Sequence, residues 1–205
     1  MQGYILKITK AKNEDIIVNI LTQKHLYTLY RFYGARHSIL NLGYKIDFEI
    51  EYSNRAYLPR LRNITHLGYK WLFDNQRTIY WQQFIQKFFE HLRDLDEVDS
   101  IYFHTLDRAA KIWNKQNPKR VAIEKYITIL KKEGRLNQNF NCFLCQKSIK
   151  DDLSLARGFL PAHSSCIRSK PVPRNGIEFL FEKESTLFLD DSHIDSLWNI
   201  LMKGF

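Results

Sequence analysis

Cys142, Cys145, His163 and Cys166 constrain this chain more than any other residues. They read Cys-x2-Cys, seventeen intervening residues, then His-x2-Cys, and they include all three cysteines of the sequence. Four N or S donors in two short pairs require two tight turns bent toward one point, which is the ligand arrangement of a tetrahedral Zn²⁺. Three thiolates and an imidazole leave no position for a catalytic water, so the expected Zn²⁺ is structural. Two other readings stay open. Cys142 and Cys145 could be a redox pair, although that motif belongs between a strand and a helix. Here the polar turn Asn137-Gln138-Asn139-Phe140-Asn141 precedes it and Gln146-Lys147-Ser148 follows. Cys166 could also be an inert thiol, because only a two-residue spacing promotes His163 to a ligand.

A chain of 205 residues with 44% hydrophobic and 14% aromatic residues has material for one large or two small cores. Met1-Gln2-Gly3-Tyr4-Ile5-Leu6-Lys7 lacks the basic leader and apolar run of a secretory signal. No stretch approaches the ~20 apolar residues of a membrane span. Thiols set out as metal ligands suit a reducing compartment, so the expectation is a cytoplasmic protein with no membrane partner.

The net charge is +9, and it is unevenly placed. Residues 1–70 hold eleven Lys/Arg against five Asp/Glu, residues 108–135 nine against two, and the last thirty residues two against six. Lys and Arg on phosphates release condensed counterions, so this bias points to a polyanionic partner. A basic surface that serves solubility alone is the competing reading.

The first seventy residues read as strands. Tyr44 to Tyr52 alternates apolar and charged side chains without a break, the mark of a strand with one wet face. Ile5–Ile8, Ile16–Leu21, Leu26–Phe32 and Leu58–Ile64 are further β-rich runs, separated by turn-like segments at 13–15, 22–24, 34–36 and 53–55. Five short strands hide their edges best as a closed barrel, and the OB-fold is the five-stranded barrel that binds oligonucleotides. After Gly68 the period changes. Trp81 to Leu95 and Ile101 to Trp113 carry apolar residues at three- and four-residue steps, the second run stopping at Asn117-Pro118. Val121 to Leu130 forms a third helix closed by Gly134. A Pro-rich link at 170–174 leads to a last helix that Ser192 opens with Asp195 three residues on. The expected class is α+β: an OB-fold nucleic-acid-binding domain at 1–70, then an α-helical bundle at 71–205 with a zinc-knuckle insertion at 140–168.

Catalytic signatures are missing from the sequence: there is no Gly-rich phosphate loop, no Gly-x-Ser-x-Gly and no His-Glu-x-x-His. Glu14-Asp15 and Asp151-Asp152 are adjacent acidic pairs, which point to opposite faces of a strand and read as solvated turns. Binding is better supplied. Arg31, Arg36, Arg55, Arg60 and Arg62 sit among Tyr27, Tyr30, Phe32, Tyr33, Tyr44 and Tyr57. Arginines for phosphates and aromatic faces for unstacked bases are the equipment of a single-strand groove, though some of these rings must belong to the core. Lys111, Lys115 and Lys119 step by four along the second helix and its exit, as a phosphate track or as a wet helix face.

With these pieces placed, the chain resembles RecO, a bacterial recombination mediator family. Glu14-Asp15-Ile16-Ile17-Val18-Asn19-Ile20-Leu21-Thr22 resembles the family's second-strand segment, and Gly34-Ala35-Arg36-His37-Ser38 its Gly-Ala-Arg turn. The Cys/His pairs resemble the family's two Cys-x-x-Cys knuckles, with His163 in place of the third cysteine. The resemblance implies a non-enzymatic DNA-repair protein that binds single- and double-stranded DNA and anneals strands coated with single-strand binding protein. With RecR as partner it would help load RecA, acting in the cytoplasm at the nucleoid. It carries DNA contact onto Arg36; Arg31, Arg55, Arg60, Arg62, Lys111 and Lys115 are candidates from the residues themselves. An OB-fold RNA-binding protein of translation, a zinc-stabilised scaffold for an acidic protein, and a nuclease are the rival classes.

Overall fold

The computed structural model describes residues 1–32, 40–54 and 56–205, without the side chain of Asn13. Five strands, β1 (Gln2–Lys10), β2 (Ile16–Leu21), β3 (Leu26–Arg31), β4 (Lys45–Glu51) and β5 (Arg60–His66), close into a barrel in the order β1-β2-β3-β5-β4. All pairings are antiparallel except β3 with β5, where Tyr30 lies opposite Arg60. That parallel closure is the topology of the expected five-stranded OB-type barrel.

Closure requires strongly coiled strands, and bulges at Ile5/Lys7 in β1 and Asp47/Glu49 in β4 provide the bends. Alternation then sends one set of side chains inward: Ile5, Val18, Ile20, Leu29, Ile46, Phe48 and Leu61 form the barrel core. Gly3 is dictated by the same crowding, since a Cβ there would lie 2.4 Å from Ile20 Cγ2 and 2.9 Å from the Leu21 carbonyl oxygen.

Two helices pack with the barrel. α1 (Asn75–Leu92) starts at Asp74, whose carboxylate accepts the Arg77 backbone N–H, and buries Trp81, Phe84, Ile85, Phe88 and Leu92 on one face. Trp81 Nε1 donates to the Gly43 carbonyl oxygen at 2.8 Å in a buried contact, and Gly43 takes φ +82° to allow it. α2 (Ser100–Ile112) contributes Phe103 and Leu106, and its Asp107 accepts from Lys45 Nζ (2.6 Å) and from the Tyr4 hydroxyl (3.1 Å). Strand and helix are thus joined by polar groups that satisfy one another in a half-buried setting.

By its packing the chain divides into Met1–Ala110 and Lys111–Phe205. The barrel strands end at His66, and α1 and most of α2 belong to the same compact unit as the barrel.

The second unit is helical. α3 (Pro118–Lys132) begins with Asn117 as cap and Pro118 at its first position, and it buries residues on several faces, among them Val121, Ile123, Tyr126, Ile127 and Leu130. It closes in a Schellman turn: Arg135 N–H reaches the Leu130 carbonyl, Gly134 N–H the Lys131 carbonyl, and Gly134 adopts φ +67° in the left-handed region that glycine favours. A two-stranded ribbon of β6 (Ser154–Leu155) and β7 (Pro161–Ala162), then the one-turn α4 (Ser164–Ile167), carry the Cys/His segment.

Two helices follow, α5 (Arg174–Lys183) and α6 (Asp191–Leu201). The sequence predicts a Pro-rich link and then a single last helix, so α5 is an addition. Pro171 and Pro173 do break the chain, yet Pro173 is the residue from which α5 starts, with Ile177, Leu180 and Phe181 as its buried stripe. The cap of α6 is Asp190, not Ser192: the Asp190 carboxylate accepts the His193 N–H, and Ser192 donates its hydroxyl to the same carboxylate. No helix among the described residues is long and apolar enough to cross a membrane.

Candidate nucleic-acid interface and metal centre

The outward side chains of β3, β4 and β5 follow from register. Glu51 pairs with Arg60 across β4 and β5, Glu49 with Arg62, and Arg31 ends β3 beside them. Arg62 Nε donates to Glu51 Oε2 at 2.8 Å, and Arg60 Nη1 lies 3.8 Å from the same oxygen. Arg31 Nη1 donates to the Leu61 carbonyl oxygen at 3.4 Å. Burial, and then the neighbouring Arg62 charge, lower the Arg31 pKa. Among the described residues, Nε of Arg31 and Nε of Arg60 are buried without a hydrogen-bond partner. Two guanidinium groups therefore meet on one carboxylate, with a third close enough for its charge to be felt. The hydrogen bond from Arg62, with the Arg62 and Arg60 charges, holds the Glu51 carboxyl below its ordinary value.

Aromatic rings accompany the cluster. The Arg60 guanidinium lies 4.8 Å over the Phe32 ring, which also meets Tyr30 edge-on at 5.0 Å and is 45% exposed. On the β4–β5 connection Tyr57 is fully exposed and Tyr52 is 71% exposed. Of the other rings picked out by sequence, Tyr27 and Tyr44 pack partly against the barrel core, Tyr44 stacked on His66 at 4.2 Å. Tyr30 gives its hydroxyl to Asp15, which is only 8% exposed, so Asp15 is a buried acceptor and not the solvated turn residue expected. Its backbone N–H also closes the short turn on Lys12. Arg36, Arg55 and Tyr33, with the whole Gly34-Ala35-Arg36-His37-Ser38 motif, lie outside the described residues.

The lysine stripe is dispersed by the fold. α2 ends at Ile112, so Lys111 is in its last turn, Lys115 sits in the following turn, and Lys119 belongs to the first turn of α3. Lys119 is committed to Asp195 of α6 at 2.7 Å. Arg120 is committed more deeply: its guanidinium donates to the Thr186 and Leu189 carbonyl oxygens and to Asp191, each at 2.8 Å. Lys131 pairs with Glu184 and Arg135 with Glu133. Much of the positive excess at 108–135 is thus engaged in holding the connection before α6 and the ends of helices.

Cys142, Cys145, His163 and Cys166 do converge, with one donor atom of each inside 4.8 Å of the others. The first knuckle is a tight turn in which Cys142 N–H bonds the Lys147 carbonyl, Gln146 N–H bonds the Cys142 carbonyl, and Gln146 adopts φ 62°. In the second, Cys166 N–H returns to the His163 carbonyl at 2.9 Å. His163 Nδ1 lies 3.3 Å from Cys145 Sγ and 3.9 Å from Cys166 Sγ, while its Nε2 lies 3.3 Å from the Ser148 carbonyl oxygen. With the proton on Nε2 donated to Ser148, the Nδ1 lone pair faces the thiols, as an imidazole ligand requires. Sequence reasoning missed Ser148, since a backbone carbonyl that orients a ligand leaves no residue-type signal.

The donor set fits Zn²⁺ in three ways. Tetrahedral thiolate ligands span edges of roughly 3.8 Å, so the observed spread closes with small side-chain movements. The thiols are free, not joined in a disulfide. Burial pushes the Cys142 thiol up, but N–H groups of Cys145, His163 and Leu144 outweigh it and bring its pKa down to about 6, ready to ligate. Burial and its two thiol neighbours push Cys166 up, the mark of sulfurs crowded together for a cation to neutralise. The segment around the knuckles is more apolar than its sequence suggests: Phe140, Ile149, Leu153, Leu155, Phe159 and Val172 are all buried.

No curated protein matches the chain. Residues 1–72 match the family model described as RecO N terminal, a span that ends just beyond β5. The match puts a RecO N-terminal domain on the observed barrel.

Proposed function

We propose that the protein is a non-enzymatic DNA recombination and repair mediator whose barrel, residues 1–70, binds single- and double-stranded DNA. In this reading it promotes annealing of strands coated with single-strand binding protein and, with RecR, helps load RecA. The observation that carries the reading is the barrel's exposed face, where Arg31, Arg60 and Arg62 stand with Phe32, and Tyr57 is fully exposed on the β4–β5 connection. Guanidinium groups track phosphates and rings stack on unpaired bases, a combination that tolerates any sequence. Arg36 and Arg55 join the proposal from the sequence, and Lys111 and Lys115 as secondary phosphate contacts.

Zn²⁺ at Cys142, Cys145, His163 and Cys166 is proposed as a structural ion. It would fix the two knuckles and the apolar segment between them, and contribute to folding of the unit at 111–205. A cleft of about 660 Å³ in that unit, lined by Arg135, Phe143, Arg157, Leu160 and Phe205, combines two guanidinium groups with apolar walls.

A salt titration of oligonucleotide binding tests the reading. Affinity for single-stranded DNA is expected to fall linearly in log–log form with salt. Structured RNA bound more tightly than single-stranded DNA would favour the OB-fold RNA-binding alternative, and affinity flat with salt would contradict both.

A further inference from the structure

We propose that Glu51 is an internal competitor for the phosphate site formed by Arg31, Arg60 and Arg62, so that a strand must displace its carboxylate to bind. The inference rests on the reading of the barrel as the DNA surface. Three observations carry it. Arg62 Nε and Arg60 Nη1 converge on one oxygen of Glu51, at 2.8 and 3.8 Å. That is the place a phosphodiester oxygen would take, because a carboxylate and a phosphodiester both offer the guanidinium fork a single negative charge shared by two acceptor oxygens. Arg31 and Arg60 each keep a buried Nε without a partner among the described residues, so the fold does not saturate either guanidinium group. The Glu51 side chain is 45% exposed and Arg62 is 52% exposed, so the pair can open without disturbing the core.

Side-chain partners, not register, make this acid and not its neighbour the competitor. Asp47, Glu49 and Glu51 alternate along the wet face of β4. Asp47 holds the N-terminal ammonium at 3.0 Å and Glu49 accepts from Asn63 Nδ2 at 2.6 Å, while the ion pairs to Arg60 and Arg62 both fall on Glu51. Glu51 stands where β5 presents Arg60 and Arg62 two residues apart on the same face. An exposed ion pair is a weak competitor, which sets the scale: it tempers affinity without abolishing it. Weak, displaceable binding suits a protein that must release strands after pairing them.

The test measures single-stranded oligonucleotide affinity across a salt series for the full chain and for Glu51→Gln, Glu49→Gln and Arg62→Gln, with melting curves as a folding control. Removal of Glu51 is expected to tighten binding ~2- to 5-fold and to steepen the log–log salt slope by up to about 0.7. The gain should vanish when Arg60→Gln and Arg62→Gln are added. Glu49→Gln should give less than half of the logarithmic gain. An equal gain from Glu49→Gln means net charge alone is at work, and the competitor role is overturned. Unchanged or weaker binding of Glu51→Gln, with Arg62→Gln still costing affinity, overturns it while leaving the DNA surface in place. If Arg62→Gln costs nothing either, the barrel reading falls together with it.

Discussion

The basic residues of the barrel and those of the helical unit look alike in sequence and are used differently. In the unit at 111–205, Arg120, Lys119, Lys131 and Arg135 each find an acid or a carbonyl, and the result is a tied-down connection into α6. On the barrel, Arg60 and Arg62 share one carboxylate, Arg31 has among the described residues only a carbonyl at 3.4 Å, and the Arg60 and Arg62 side chains stay partly exposed. Positive charge counted along a chain is therefore not charge available to a polyanion; what matters is how much acid the fold delivers to it.

The largest expected effect lies in the helical unit. Cys142→Ser, or a strong chelator, should lower the melting temperature by ~10 °C or more, while oligonucleotide affinity measured well below the melt changes less than about twofold. A strong loss of DNA binding with the fold intact would move the knuckle into the interface. Arg120→Ala should come next, costing about 2–3 kcal/mol in chemical denaturation, because two carbonyls and Asp191 lose a charged donor. DNA binding should barely follow it. If Arg120→Ala weakened DNA binding as much as Arg62→Gln, the division of labour between the two regions would be wrong.

A smaller effect separates the regions by pH. His66 in the barrel is held below its ordinary pKa of 6.5 by burial, stacked on Tyr44 with Nε2 unpartnered among the described residues. The unfolded ring takes up a proton near 6.5 while the folded ring resists it. Its contribution is therefore complete above that pH and is lost as pH falls through it. Lowering the pH from 7.5 to 5.5 should reduce the melting temperature of the barrel unit by roughly 2 °C, and His66→Gln should remove that part of the dependence while leaving the part that comes from the Cys142 thiol. Lys115→Ala is the smallest change, within about twofold in affinity and on the order of a fraction of one phosphate in salt slope.

Much of the fold and of the candidate site is legible in the amino-acid order, and the reasons differ by region. The barrel strands announce themselves through alternation, and Tyr44 to Tyr52 brackets β4 to within a residue at each end. The Cys/His quartet is readable because short spacing carries its own geometry. α5 is hidden because Pro171 and Pro173 look like a linker, when Pro at a helix start costs no hydrogen bond. Asp15 reads as solvent-facing because burial of a turn acid depends on Tyr30 of β3 reaching it. The place of Glu51 among the arginines is out of reach: its partners lie across a hairpin, and although register sets Glu49 opposite Arg62, the Arg62 side chain turns to Glu51.

The most direct measurement of the central claim is the salt dependence of single-stranded DNA affinity for the chain carrying Arg31→Gln, Arg60→Gln and Arg62→Gln together, beside the unchanged protein. The account predicts a loss of more than about tenfold at moderate salt and a slope shallower by roughly two, with the melting temperature of the helical unit unmoved. Equal affinity and equal slope in a folded triple variant would contradict it.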